Sequence, residues 1–274
     1  MHDLQPDFEQ LRQACQRMRK NILKMTHRAK GGHPGGCLSA IDILGVLYLE
    51  IMRIKPDNPT WEGRDYFFLS KGHAVPALYA VLAECGYIQA EELAAFREMG
   101  SRLPAYPSNE DTPGVDMASG SLGQGLSIAN GVALAAKLNG TEQRAYVMLG
   151  DGELHEGQIW EAMLSSAHYK LDNVCAIVDY NRLQLDGPLD EVKSLGDLRA
   201  KWEAFAWNVI EIDGHNLEEI YNAFLAAAEY KGKPTVILAN TIKGKGVSFM
   251  EDEVGWHAAG PSDEELEKAI EELS

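Results

Sequence analysis

The chain has 274 residues, of which 45% are hydrophobic and 24% charged, an ordinary balance for a globular protein with a substantial core. Its 25 basic and 41 acidic residues leave a formal net charge of −16, which opposes nucleic-acid backbones and anionic membranes, so a polyanionic ligand needs a local basic pocket. The cysteines at 15, 37, 85 and 175 form no CxxC pair, no apolar signal core opens the chain, and no apolar run reaches the roughly 20 residues that span a bilayer; these features predict a cytoplasmic, soluble protein with reduced thiols.

In chain order, Phe8, Leu11, Cys15, Met18, Ile22 and Met25 recur at three- and four-residue steps and predict a first helix that stops at "GGHPGG". Ser39 and Asp42 read as the capping box of a second helix, before "ILGVLYLEIM". "YFFL" is a short buried strand, "SKGH" a loop and "PALYAVLAECG" a helix. The glycine-rich "SGSLGQG" opens the helix "LSIANGVALAAKL". Then follow the strand "RAYVMLG", the helix "GQIWEAMLSSAHYK" and the strand "NVCAIVDYN". "WNVIEIDG" is a further strand, Asn216 and Glu219 cap the helix "LEEIYNAFLAAAEY", and "PTVILANT" is the last strand. Ser262 and Glu265 form the capping box of a solvated final helix.

Continuous apolar strands alternating with helices predict an α/β fold, a parallel sheet covered by helices on both faces. No polar linker interrupts the series, so one domain over residues 1–274 is expected.

The stretch "GDGELHEGQIWEAMLSSAHYKLDNVCAIVDYNRLQLDG" begins and ends on Asp-Gly. Its first pair follows a strand, and Asn181 ends the next strand after the crossover helix. If the two strands are neighbours, Asp151 and Asn181 reach the same sheet edge, where open α/β sheets hold ligands. Gly150 and Gly152 let backbone approach an anion, with the Gly152 N–H as a donor. A carboxylate, an amide oxygen and a nearby carbonyl suit Mg²⁺ or Ca²⁺ completed by phosphate oxygens, not zinc. Asp-Gly is also a common turn. A dinucleotide fingerprint fails on spacing, and no GxxxxGK[ST] is present. A metal–diphosphate site is the favoured reading, with a structural turn as the alternative, and Asp186-Gly187 is a plain turn.

"GDG" followed across a βαβ span by Asn resembles the thiamine-diphosphate motif. "GGHPGG", "SKGH", "GSLGQG", "GDGELHEG", "DYNRLQLDG" and "GWHAAGP" occur in the order found in the N-terminal part of transketolase, from about residue 7 to 262. The chain is similar to the small subunit of a split transketolase. That resemblance implies thiamine diphosphate and a divalent cation (Mg²⁺, or Ca²⁺ or Mn²⁺) held by Asp151, Asn181 and the Leu183 carbonyl. It further implies that Gly150 and Gly152 meet the diphosphate and that Gly120 and Leu122 line the rest of the cofactor. Glu156 would sit near the cofactor in a carboxylate network between subunits. His33, His73 and His257 would line the reaction channel, touching diphosphate or substrate hydroxyls and moving protons. Imidazole suits such transfers near neutrality.

A lone histidine in a helix-ending loop is more often a turn or capping residue, but three beside glycines or loop ends favour function together. His215 reads as structural, and His2, His27, His155 and His168 as surface or core residues. Lys243 and Lys245 in "TIKGKG" read as a solvated loop. Where the family carries Gly-His-Pro before "LGQG", this chain has "LPAYPS", which puts Tyr106 at the substrate-facing position. The resemblance implies that the pyrimidine-binding and C-terminal domains lie on a partner chain, in a dimer of heterodimers that acts on sugar phosphates. The implied activity is transfer of a two-carbon ketol unit from a ketose to an aldose, by the pair and not by this chain alone. Alternatives are specialisation for a branched, deoxy or sulfonated sugar, a pyruvate-using deoxyxylulose-phosphate-synthase-like enzyme, and a non-catalytic cofactor-binding subunit.

Overall fold

A computed structural model describes residues 5–274. The strands are β1 (Tyr66–Leu69), β2 (Ala145–Gly150), β3 (Val174–Tyr180), β4 (Leu183–Gln184), β5 (Gly187–Pro188), β6 (Asn208–Asp213) and β7 (Thr235–Asn240). The α-helices are α1 (Phe8–Arg28), α2 (Pro34–Val46), α3 (Val75–Cys85), α4 (Gly125–Asn139), α5 (Gly157–His168), α6 (Leu189–Lys193), α7 (Leu198–Ala204), α8 (Leu217–Glu229) and α9 (Asp263–Glu272).

Five strands form one parallel sheet in the order β1-β2-β3-β7-β6. Because side chains alternate across a strand, each strand feeds two cores. Tyr146 and Met148 of β2, with Cys175 and Ile177 of β3, pack under α1, α2, α3 and α8. Ala145, Val147 and Leu149, with Val174, Ala176 and Val178, pack under α4, α5 and α7. This double burial explains why the strands read as unbroken apolar runs, and the expected two-sided α/β architecture is present.

The second helix differs from its expectation. It opens at Pro34, where the ring fixes the backbone for a first helical turn, and it runs through Ser39 and Asp42 into a π-helical turn at Leu47–Ile51. Ser39 and Asp42 are therefore not caps. Both are buried, and their side chains serve tertiary partners: Ser39 Oγ donates to Asp179 at 2.6 Å, and Arg19 Nη1 donates to Asp42 at 2.8 Å. The span Pro34–Ile51 is apolar and long enough to cross a bilayer by composition, but 83% of it is buried inside the protein, as a core helix is. The capping box at Ser262 and Glu265 is present. Asn216 caps α8 as expected, whereas Glu219 turns back to accept from the Asp213 N–H at 2.9 Å.

The consequence for function lies at the carboxyl ends of β2 and β3. They are paired neighbours, with Gly150 opposite Asp179, so the residues that follow each strand emerge side by side. The short β4–β5 hairpin turns at Leu185-Asp186 and folds beside that edge, so Asp186-Gly187 belongs to a turn as expected.

Candidate functional site

The loops beyond β1, β2, β3 and β7 enclose a cavity of about 290 Å³ against the start of α2. Its walls bring together His33, His73, Tyr106, Gly120, Leu122, Gly150, Asp151, Gly152, Asn181, Leu183 and His257, all of which the sequence had singled out. Glu156 is not among them. It is exposed as the N-cap of α5, with its side chain packed beside Gly123.

Asp151 is buried at the floor, where its carboxylate accepts from the N–H groups of Gly152 at 2.7 Å and Arg182 at 2.5 Å. Burial first, and the neighbouring Asp179 second, push its carboxyl up to about 6, against the pull of the two N–H donors and Lys243. The Gly152 N–H, expected to face a diphosphate, is thus directed onto Asp151. Asn181 Oδ1 accepts from the Leu183 N–H at 3.1 Å, and the Leu183 carbonyl accepts from Lys243 Nζ at the same distance.

Lys243 corrects the expectation of a solvated loop. It is 2% exposed, because its stem packs on Gly35 at the start of α2, where a Cβ would meet Lys243 Cγ and the Trp256 carbonyl, each at 3.0 Å. Burial, and then the nearby Lys71, lower its ammonium to about 8. Lys245 stays at the surface, 3.3 Å from Glu251. Lys71, also buried, donates to the Gly36 carbonyl at 2.9 Å and pairs with Asp179. Lys71 and Glu153 line the cavity although the sequence reading assigned them no role. Glu153 pins the two glycine loops by accepting from the Gly123 N–H at 2.8 Å and the Gly150 N–H at 3.0 Å. The signal that could have found them is charge beside glycine at a strand end.

The three histidines form a triangle, with ring centroids 5.0 Å apart for His33–His73, 5.6 Å for His33–His257 and 5.4 Å for His73–His257. His33 sits at the N-cap position of α2 without making a side-chain cap bond, so the capping explanation fails for it. Burial is the first cause holding all three below the ordinary imidazole range, with His257 pushed down to about 3; nearby Lys243 adds to each. The rings are therefore neutral at pH 7, not poised at neutrality as expected. His257 Nδ1 lies 3.0 Å from Lys243 Nζ, and accepting from that ammonium leaves its proton on Nε2.

The remaining histidines match their bland readings, apart from His2, which lies outside the described residues. His215 Nε2 accepts from the Ile242 N–H at 2.8 Å, and its Nδ1 bonds to Asp42 at 2.9 Å, which ties the β7 loop to α2. His27 and His155 bond carbonyls of Pro261 and Lys193, and His168 packs on Tyr169. Tyr106 is 44% exposed at the cavity wall, its ring 3.4 Å from where a Gly120 Cβ would lie. The Tyr79 hydroxyl holds that loop by donating to the Pro104 carbonyl at 3.0 Å.

The cavity has the chemistry of a cation–diphosphate site. Asp151, Asn181 and the Leu183 carbonyl are hard oxygen donors on one floor, and two buried ammonium groups face them. Gln184 Nε2 is a buried donor without a partner, and its residue lines the same cavity. A Cβ at position 152 would press on the Gln184 Cβ at 3.2 Å, so glycine keeps that wall open.

Residues 11–274 match the family model for the transketolase thiamine diphosphate binding domain. One of the two subunits of an apulose-4-phosphate transketolase from Phocaeicola vulgatus is 42% identical over 97% of this chain and 94% of its own length. A 6-deoxy-6-sulfo-D-fructose transketolase subunit from a Clostridium species is 44% identical over 93% of both chains. Human transketolase is 40% identical over 98% of this chain, which spans only 43% of the human protein. The crystal structure of Campylobacter jejuni transketolase superposes with a TM-score of 0.93 at 34% identity, covering 98% of this chain and 43% of that one. The chain belongs to the transketolase family, as its thiamine diphosphate-binding part, at the length of relatives named as transketolase subunits.

Proposed function

We propose that this chain is the cofactor-binding subunit of a two-chain transketolase that depends on thiamine diphosphate and Mg²⁺. The observation that carries the reading is the floor of the cavity, where Asp151 and Asn181 follow paired parallel strands and meet the Leu183 carbonyl beneath Lys71, Lys243 and three histidines. Asp151, Asn181 and Leu183 would hold the cation. Lys243 and the Gln184 amide would face the diphosphate, and Gly120 and Leu122 the remainder of the cofactor. Bound there, thiamine diphosphate supplies the electron sink for cleaving the bond beside a ketone carbonyl, and the protein supplies position and proton transfer.

His33, His73 and His257 contribute neutral rings to one wall. The proton on His257 Nε2 is available to a substrate oxygen, while Lys243 holds the other ring nitrogen in place. The apolar body of Tyr106 narrows the mouth, and its phenol offers a hydrogen bond without charge. Two relatives are named for apulose 4-phosphate and a sulfonated fructose, and together with Tyr106 this supports a donor other than the common ketose phosphates. The remaining cofactor contacts would come from a partner chain carrying the pyrimidine-binding part, in a cytoplasmic dimer of heterodimers.

The test is reconstitution. The purified chain with thiamine diphosphate and Mg²⁺ should transfer no ketol unit, and mixing it with the partner chain should start transfer from a sugar donor. Ketol transfer by the chain alone, or carbon dioxide release from pyruvate by the pair, would refute this reading.

A further inference from the structure

Asp179 ends β3 two residues before Asn181, is wholly buried, and does not itself line the cavity. Four side-chain donors surround its carboxylate. Ser39 Oγ donates to Oδ2 at 2.6 Å, Lys71 Nζ donates to the same oxygen, and Thr241 Oγ1 donates to Oδ1. The fourth is Asn181 Nδ2, at 3.3 Å from Oδ2. Ser39 Oγ adds a second, longer contact to that nitrogen at 3.4 Å.

An ionised carboxylate only accepts, whereas a carboxamide has one donating and one accepting end. Facing Asp179, the Asn181 amide is stable only with its NH₂ inward. Its oxygen then points the other way, where it accepts from the Leu183 N–H at 3.1 Å on the side that holds Asp151 and the Leu183 carbonyl. Turned over, the amide would set oxygen against carboxylate and offer a cation two N–H groups. We propose that Asp179 is a positioning residue that fixes the orientation of the Asn181 amide, so that its oxygen and not its nitrogen is presented to a divalent cation. This rests on the cation–diphosphate reading of the cavity. Lys71 makes the arrangement tolerable in the interior by pairing with the buried carboxylate, and Ser39, from the middle of α2, locks its second face.

The discriminating variants are Asp179→Asn and the exchange Asp179→Asn/Asn181→Asp. In the single variant, the new amide can offer its own NH₂ toward position 181, and Asn181 is free to turn. In the exchange, one carboxylate and one amide remain and the net charge is kept. The amide introduced at position 179 can donate to one oxygen of the carboxylate introduced at position 181, leaving the other oxygen for the cation. The readout is Mn²⁺ affinity of the purified full chain in the presence of thiamine diphosphate, from the electron paramagnetic resonance of free Mn²⁺, with melting curves as the fold control. Removing a group that orients a metal ligand costs about 10- to 100-fold in affinity, so the single variant should weaken Mn²⁺ binding by that factor. The exchange should recover most of the loss, which a carboxylate needed only as the counter-ion of Lys71 would not achieve from position 181.

Native-like Mn²⁺ affinity in Asp179→Asn, or a folded exchange variant as weak as the single one, would overturn the proposal. If Asp179→Asn does not fold, the exchange variant decides alone against the native chain. No Mn²⁺ uptake by the native chain would instead overturn the underlying cofactor reading, which separates the two failures.

Discussion

Replacing Lys243 by methionine should make the unliganded chain more stable and ruin its affinity for diphosphate. The ammonium is 2% exposed and lowered from 10.5 to about 8, with burial as the first cause and Lys71 the second. A lysine whose folded value lies below its unfolded one opposes folding while charged, so the cost is complete below pH 8 and disappears above 10.5. A drop of that size corresponds to about 3 kcal/mol at pH 7. Methionine matches the stem but abandons the bonds to the Leu183 carbonyl and His257, which gives back about 1 kcal/mol. The net gain of about 2 kcal/mol should raise the melting temperature by roughly 4–8 °C for a domain of this size. Thermal melts at pH 7 and pH 10 check the sign, because the advantage must shrink at the higher pH. Titration with inorganic diphosphate and Mg²⁺ should meanwhile show binding weakened by at least about tenfold, the worth of one charge-assisted contact. A variant that melts below the native chain at pH 7, or binds diphosphate as tightly, would refute the reasoning.

Cation binding should depend on pH through Asp151. Its carboxyl is raised to about 6 by burial and by Asp179, so Mn²⁺ affinity should be flat above pH 6.5 and fall about tenfold per unit well below pH 6. A profile that breaks near pH 4 would show that the carboxylate is not held this way. The buried Arg19–Asp42–His215 group is a separate structural prediction. Asp42 is held down to about 2 against the cost of burial, chiefly by the Arg19 charge, so its contribution of about 2 kcal/mol is present above pH 4 and lost as pH falls through 2. Asp42→Asn should cost about 3–5 kcal/mol at pH 7 by stranding Arg19, and urea unfolding measures it. In the reconstituted pair, Tyr106→His should shift relative kcat/KM toward common ketose phosphates by roughly fivefold, the worth of one hydrogen bond of about 1 kcal/mol. Unchanged donor preference would remove Tyr106 from the specificity argument.

Much of the cavity is legible in the residues alone, because the chemistry is local to strand ends. The apolar runs at 145–150 and 174–180 announce a doubly covered sheet, and motif order places Asp151 and Asn181 at one edge. What is not legible depends on elements distant in sequence. Lys243 lies between glycines in a stretch that resembles solvated loop, and only the close approach of Gly35 and Trp256 buries it. The insertion of β7 between β3 and β6 has no local signature, yet it delivers Thr241 and Lys243 to the site. Ser39 and Asp42 match a capping box by spacing, but Pro34 starts the helix a turn earlier and makes both tertiary anchors. The histidines are recognisable as a set. Their neutrality is not, since it arises from burial beside lysines on other loops.

The central claim is that Asp151, Asn181 and the Leu183 carbonyl hold a cation that in turn holds a diphosphate. Calorimetric titration of the purified chain with inorganic diphosphate tests it most directly, with Mg²⁺, with chelator, and with Asp151→Ala. The account predicts binding that requires Mg²⁺ and is lost in the variant while its fold persists. Equal affinity with chelator, or in Asp151→Ala, would contradict it.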